Sequence, residues 1–145
     1  MSDKAFIDTN VFIYSLDSVD LKKRTIARQL LANLATERTG TISFQVVQEF
    51  FSVAYKRFPS VMRPEDGLAF LMSVFRPLYT VHSSLDLYRS ALSVYERYRL
   101  SWYDSLILAA AAEAKCSVIY TEDLQHGAKI EGVRIENPFR NETKL

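Results

Sequence analysis

Apolar residues fall along this chain in two spacings. Short continuous runs, Ala5-Phe6-Ile7, Thr41-Ile42-Ser43, Tyr79 to His82, Val118 to Thr121 and Val133 to Ile135, read as strands bounded by turn and cap residues. Between them lie stretches with helical spacing: Val11 to Leu16, Leu21 to Arg38, Gln45 to Arg57, Glu65 to Phe75, Asp86 to Arg99 and Ser101 to Cys116. Asp20 is positioned to cap the second, in which Ile26, Leu30, Leu31 and Leu34 share a face, and Gly40 is expected to end it. Pro59 and Pro64 bracket a loop, and Pro77 marks another break. Strands alternating with helices predict an α/β fold, with a mainly parallel central sheet of four to five strands flanked by helices.

The chain has 145 residues, 48% of them hydrophobic, which is the size and composition of one domain with a single core. That core is expected over about 4–139, with a polar tail over 140–145. No apolar run approaches the roughly 20 residues that cross a bilayer, and Met1-Ser2-Asp3-Lys4 does not open a signal segment, so the expectation is a cytoplasmic protein without membrane contact. The lone Cys116 reads as a small buried apolar residue. A net charge of +1 does not decide for or against a nucleic-acid partner. Basic groups at Lys22, Lys23, Arg24 and Arg28, at Lys56 and Arg57, and at Arg89, Arg97 and Arg99 read singly as solvated faces.

Four short acidic motifs carry the chemistry: Phe6-Ile7-Asp8-Thr9-Asn10, Gln48-Glu49-Phe50, Trp102-Tyr103-Asp104-Ser105 and Thr121-Glu122-Asp123. Each has a structural reading. Asp8-Thr9-Asn10 suits a helix N-cap, Asp104 stands where a capping box with Ser101 would put an acid, and Thr121-Glu122-Asp123 suits a turn. Glu49 interrupts a mostly apolar helix face, and would reach solvent only through a narrow polar strip with Gln45 and Gln48. The functional reading takes all four together. Strand ends and helix starts share one edge of a parallel sheet, where open α/β folds bind ligands. Converged carboxylates there would hold protons, spread apart or bind a cation, since two charges about 4 Å apart repel by roughly 4 kcal/mol at an effective dielectric near 20. An oxygen-only ligand set suits Mg2+ or Mn2+ rather than zinc. His126 reads as an ordinary loop histidine, Ser43 as a cap, and Trp102 with Tyr103 as packing beside the site; Phe50, Phe51 and Tyr55 read as core.

From Ala5 to about Phe139, these motifs in this order resemble the PIN-domain ribonucleases, in particular the toxins of bacterial VapBC-type toxin-antitoxin systems. The resemblance implies a three-layer PIN-like fold, and an acidic quartet of Asp8, Glu49, Asp104 and Asp123 supported by Thr9, Asn10 and Thr121. Asp123 rather than Glu122 matches the family position two residues after the threonine. It further implies a Mg2+- or Mn2+-dependent endoribonuclease leaving 5'-phosphate and 3'-hydroxyl ends, a cognate antitoxin that places a basic side chain among the acids, and a homodimer. Asn10 stands where a haloacid-dehalogenase-type phosphatase needs its second aspartate, and neither a receiver-type acidic pair with its lysine nor a glycine-rich phosphate loop is present. A PIN-type nuclease of RNA processing or of DNA, and a non-catalytic binding module on the same fold, remain the alternatives.

Overall fold

Ala5, Phe6 and Ile7 point alternately to opposite faces of a strand, and all three are buried, so this strand is covered on both sides. The computed structural model, which describes residues 3–140, makes it the centre of the sheet. β1 (Ala5–Ile7) pairs in parallel with β2 (Gly40–Ser43) on one flank and β4 (Val118–Tyr120) on the other. β3 (Tyr79–Val81) joins β2, and β6 (Val133–Glu136) joins β4, also in parallel. A sixth strand, β5 (Lys129–Ile130), closes the edge antiparallel to β6, giving the order β3-β2-β1-β4-β6-β5. This two-residue strand is too short to leave a periodic signal. It forms because Glu131 and Gly132 both adopt positive φ, 52° and 80°, and reverse the chain in two residues.

The helices occupy the expected stretches. α1 (Thr9–Tyr14) starts directly after β1, and α2 (Leu21–Glu37) is capped by Asp20, whose carboxylate accepts from the Lys23 amide at 3.1 Å. Arg38, in a left-handed conformation with φ 58°, ends α2, and not Gly40. Gly40 instead opens β2, where a Cβ would sit 3.0 Å from Leu78 Cδ2 and 3.1 Å from Ile7 Cδ1, so a close approach explains the glycine. α3 (Phe44–Arg57) follows β2 without a loop. α5 (Leu85–Tyr98) and α6 (Trp102–Glu113) come after β3, and α6 buries Ser105 to Ala111 without interruption. Cys116, beyond the end of α6, is buried as expected, and burial pushes its thiol up to about 11. No helix among the described residues is long and apolar enough to cross a membrane. Beyond Arg140, the expected polar tail lies outside the described residues.

The stretch expected as one helix over Glu65 to Phe75 is three different windings. A 3-10 turn (Pro64–Asp66) leads into α4 (Gly67–Phe70), and a π turn (Leu71–Phe75) follows, with the Arg76 amide donating to the Leu71 carbonyl at 2.8 Å. Packing explains the change. In an α-helix residues five apart point about 140° away from each other, whereas a π turn brings them nearly into line. Phe70 stacks on Phe50 with centroids 4.7 Å apart, and Phe75 meets Phe50 edge-on at 5.1 Å and Phe12 at 5.0 Å, so both rings enter one aromatic core. Phe75→Ala is expected to destabilise the protein by about 3–5 kcal/mol, read as a lower midpoint in denaturant unfolding; a loss under about 1 kcal/mol would mean that the aromatic core does not hold the π turn in place.

Candidate metal centre

Strands β2 and β3 lie on one side of β1, and β4 to β6 on the other. The chain therefore changes direction across the sheet between β1 and β4, and leaves a crevice beyond their carboxyl ends. Asp8 is the first residue after β1. It caps α1, its Oδ1 accepting from the Thr9 amide at 2.7 Å, while Oδ2 accepts from the Thr121 hydroxyl at 2.8 Å. Thr121 is the first residue after β4 and is fully buried, so this bond links the two strand ends that frame the crevice. The cap reading and the site reading of Asp8 are the same geometry.

Thr121 Oγ1 also accepts from the Asp123 amide at 3.1 Å, which folds the segment after β4 back over the crevice. Asn10, in the first turn of α1, donates from Nδ2 to Asp123 Oδ2 at 3.2 Å and to Thr121 Oγ1 at 3.4 Å. Asp123 is thus tied to the motif that holds Asp8, 115 residues earlier, whereas Glu122 turns away to Lys23 and Tyr14. Thr9 acts through its backbone: its amide holds Asp8, and its hydroxyl is buried without a partner.

Glu49 and Asp104 enter from the other helices. Ser101 caps α6, accepting from the Asp104 amide at 3.1 Å, but the Asp104 carboxylate makes no return bond to the Ser101 amide. Half of the expected capping box forms, and the acid side chain is left half-exposed beside the crevice. Glu49, in the second turn of α3, is half-buried, and the polar strip expected beside it does not include Gln45. Gln45 is buried, and its Nε2 donates both to Glu49 Oε1 at 2.9 Å and to the Tyr103 carbonyl at 3.2 Å. One amide group thereby fixes Glu49 against the start of α6. Sequence reasoning missed this residue, although Gln and Glu four apart on a helix are the spacing at which such a bond forms.

The four carboxylates share one electrostatic neighbourhood. Burial pushes the Asp8 carboxyl from an ordinary 3.8 up to about 7, against hydrogen bonds from Thr121 and the Thr9 amide that pull it down, and the charges of Asp123 and Glu49 push it further up. Burial likewise raises Glu49, where Asp104 and Asp123 add to the rise, and raises Asp104, where Asp123 does. Among the described residues no three His, Cys, Asp or Glu side chains are already drawn together as a ligand set. The donors that line the crevice are all oxygen, a set that suits Mg2+ or Mn2+. Buried polar atoms without a partner among the described residues add to the fit: Thr9 Oγ1 and Asn10 Oδ1 belong to the two residues that follow Asp8, Gln45 Oε1 to the residue that holds Glu49, and Ser105 Oγ to the residue after Asp104. Of the other motifs, His126 accepts from the Asn137 amide through Nδ1, Trp102 stacks on Tyr88, and Tyr103 is 62% exposed beside Asp104. The basic run on α2 is partly engaged, Lys23 with Glu122 and Arg28 with the Ser15 carbonyl.

A model of the PIN domain family matches residues 5–129. No curated protein matches the chain in sequence. Solved structures that share the fold include a toxin-antitoxin complex from Klebsiella pneumoniae, with a TM-score of 0.66, 24% identity, and 93% of this chain and 98% of that one covered; the sarcin-ricin-loop-cleaving toxin VapC20 of Mycobacterium tuberculosis, with 0.64, 18%, 83% and 90%; and VapBC2 of Rickettsia felis bound to a promoter DNA fragment, with 0.65, 18%, 92% and 97%. At these identities the likeness is one of fold.

The raised Asp8 pKa makes stability depend on pH. Below 3.8 the carboxyl is protonated in both folded and unfolded chains, and its favourable contribution is complete; as pH rises through about 7 that contribution is lost. Its size is on the order of 4 kcal/mol. Thermal unfolding in a chelator is therefore expected to show a midpoint that falls between about pH 4 and pH 7, and a midpoint that rises across that range would contradict the burial of Asp8.

Proposed function

The chain belongs to the PIN domain family, and from this premise we propose that it is a divalent-metal-dependent endoribonuclease, acting as the toxin of a toxin-antitoxin pair. One observation carries the reading: Asp8, Glu49, Asp104 and Asp123, from four separate parts of the chain, come within electrostatic reach of one another at the crevice between β1 and β4. Asp8 and Asp104 would hold the Mg2+ or Mn2+ ion directly, and Asp123 would complete the site directly or through water. The bound cation supplies Lewis acidity, offsetting the negative charge of the phosphodiester and of the leaving oxygen.

The chain's own residues do the positioning. Thr121 and the Thr9 amide each hold one oxygen of Asp8, so the carboxylate cannot rotate away. Asn10 steadies Asp123 in the same way. Gln45 occupies Oε1 of Glu49, leaving Oε2 to orient a water and accept its proton, and the raised pKa brings this carboxylate closer to a base's working range. With water as nucleophile, the products carry a 5'-phosphate and a 3'-hydroxyl. RNA as substrate draws support from the fold shared with a toxin that cleaves the sarcin-ricin loop.

Two surfaces support the partners. A mostly apolar groove of about 510 Å³ between α2 and the π turn, lined by Leu31, Leu34, Val74 and Leu78, suits an antitoxin segment, and neighbours of the same fold occur in toxin-antitoxin complexes. An arginine from that partner, reaching the crevice, would replace the metal's charge. On α5, Leu85, Leu92 and Tyr95 lie exposed, as a homodimer face requires.

Asp8→Asn and Asp104→Asn are each expected to lower RNA cleavage by at least about 100-fold while circular dichroism stays that of the wild type. Unfolding of both variants would mean that these acids serve the caps alone. Cleavage is also expected to stop in EDTA and to return with Mg2+ or Mn2+ but poorly with Ca2+, whose looser coordination orients water less well; full activity in the chelator would refute the metal reading, and activity on DNA but not RNA would refute the substrate.

A further inference from the structure

Outside the crevice, a second polar cluster joins three parts of the chain. Tyr14, the last residue of α1, donates its hydroxyl to Glu122 Oε1 at 2.6 Å. Lys23, in the first turns of α2, donates to Glu122 Oε2 at 2.5 Å and to the Tyr14 oxygen at 3.2 Å. Both Glu122 oxygens are thereby occupied. The Lys23 ammonium lies 4.6 Å from the centre of the Tyr14 ring and 5.7 Å from that of Phe139, and Phe139 packs edge-on against Tyr14 at 4.8 Å. Burial alone would lower the Lys23 pKa, but the bonds to Glu122 and Tyr14 outweigh it and raise it above its ordinary value. The side chains of Lys23 and Glu122 are only 22% and 27% exposed, so this is not a loose surface pair.

We propose that Lys23, Tyr14 and Glu122 form a clamp that positions Asp123 for metal binding; the proposal rests on the metal-dependent reading above. Asp123 is exposed on a loop and faces three other carboxylates, and among the described residues its side-chain carboxylate accepts a hydrogen bond from Asn10 alone. Repulsion among the acids would drive such a loop outward. Glu122, the adjacent residue, is anchored instead to two helices, and Thr121 before it is buried and bonded to Asp8. Because α1 carries Asp8 at its start and Tyr14 at its end, the clamp also ties the loop to the element that presents the first acid. Glu122 therefore acts by anchoring the loop that carries Asp123, and all three are positioning residues, their side chains bonded to one another.

The test compares the full chain with its Lys23→Met, Tyr14→Phe and Lys23→Arg variants, measuring Mn2+ affinity by titration, kcat and KM on RNA, and thermal midpoints in a chelator. Lys23→Met is expected to weaken Mn2+ binding about tenfold or more and to lower kcat with KM unchanged, while the midpoint moves only by a few degrees. Lys23→Arg, which keeps the charge, is expected to restore most of both. Tyr14→Phe removes a single hydroxyl and carries the test should Lys23→Met fail to fold. Wild-type Mn2+ affinity in both Lys23→Met and Tyr14→Phe would overturn the clamp, as would an equal loss in Lys23→Arg and Lys23→Met. A wild-type chain that neither binds Mn2+ nor cleaves RNA would overturn the nuclease reading instead; hydrogen exchange at the Asp123 amide then decides the clamp, faster exchange in Lys23→Met supporting it and an unchanged rate refuting it.

Discussion

The hydrogen bond from Thr121 to Asp8 is the interaction on which the rest of the crevice depends. Asp8 is a buried carboxylate, and a buried charge without partners costs several kcal/mol. Its two oxygens are answered by the Thr9 amide, a product of the helix that Asp8 itself caps, and by a threonine that only the pairing of β1 with β4 brings near. A slip of one residue between these strands would turn Thr121 to the opposite face and leave that oxygen unanswered. Strand register and the geometry of the acids are therefore one condition. The same threonine oxygen then receives the Asp123 amide and the Asn10 side chain, so a second acid is positioned by the bond that holds the first.

The hydrophobic core serves this edge at a distance. Phe12 on α1 and Phe50 on α3 belong to the helices that carry Asn10 and Glu49, and both pack on Phe75. Bringing Phe75 and Phe70 to the same face required a π turn, which a regular helix would not need. Packing of large rings thus outweighed the geometry that local spacing favours, and it fixed the relative positions of α1 and α3, which bear two of the polar motifs. The opposite trend holds at the crevice, where Thr9, Asn10, Gln45 and Ser105 each keep a buried polar atom without a protein partner. Native interiors contain few such atoms. Their concentration beside three of the four acids marks the region where polar capacity is retained at some cost in stability.

What the sequence determined by itself was the alternation of strands and helices, the mainly parallel sheet, and the four acidic motifs as candidates. Those features have local causes: continuous apolar runs identify buried strands, helical spacing identifies α2, α3 and α6, and Asp20 and Ser101 accept from their own helices' amides as any such caps would. The PIN-domain resemblance came from the same local motifs, and the family match spans them. What tertiary structure alone decided depends on groups far apart in the chain. The different surroundings of Glu122 and Asp123 come from Lys23 and Tyr14, which bond the first, and from Asn10, which bonds the second. Gln45 links Glu49 to the start of α6, and Gly40 proved to be a point of contact with Leu78 and Ile7 instead of a helix terminus. The short β5 and the π turn left no periodic trace, since one is held by its neighbour strand and the other by aromatic rings from three other segments. Local spacing records what a residue does for its own element; burial, charge coupling and side-chain partners across the fold arise only when the elements are packed.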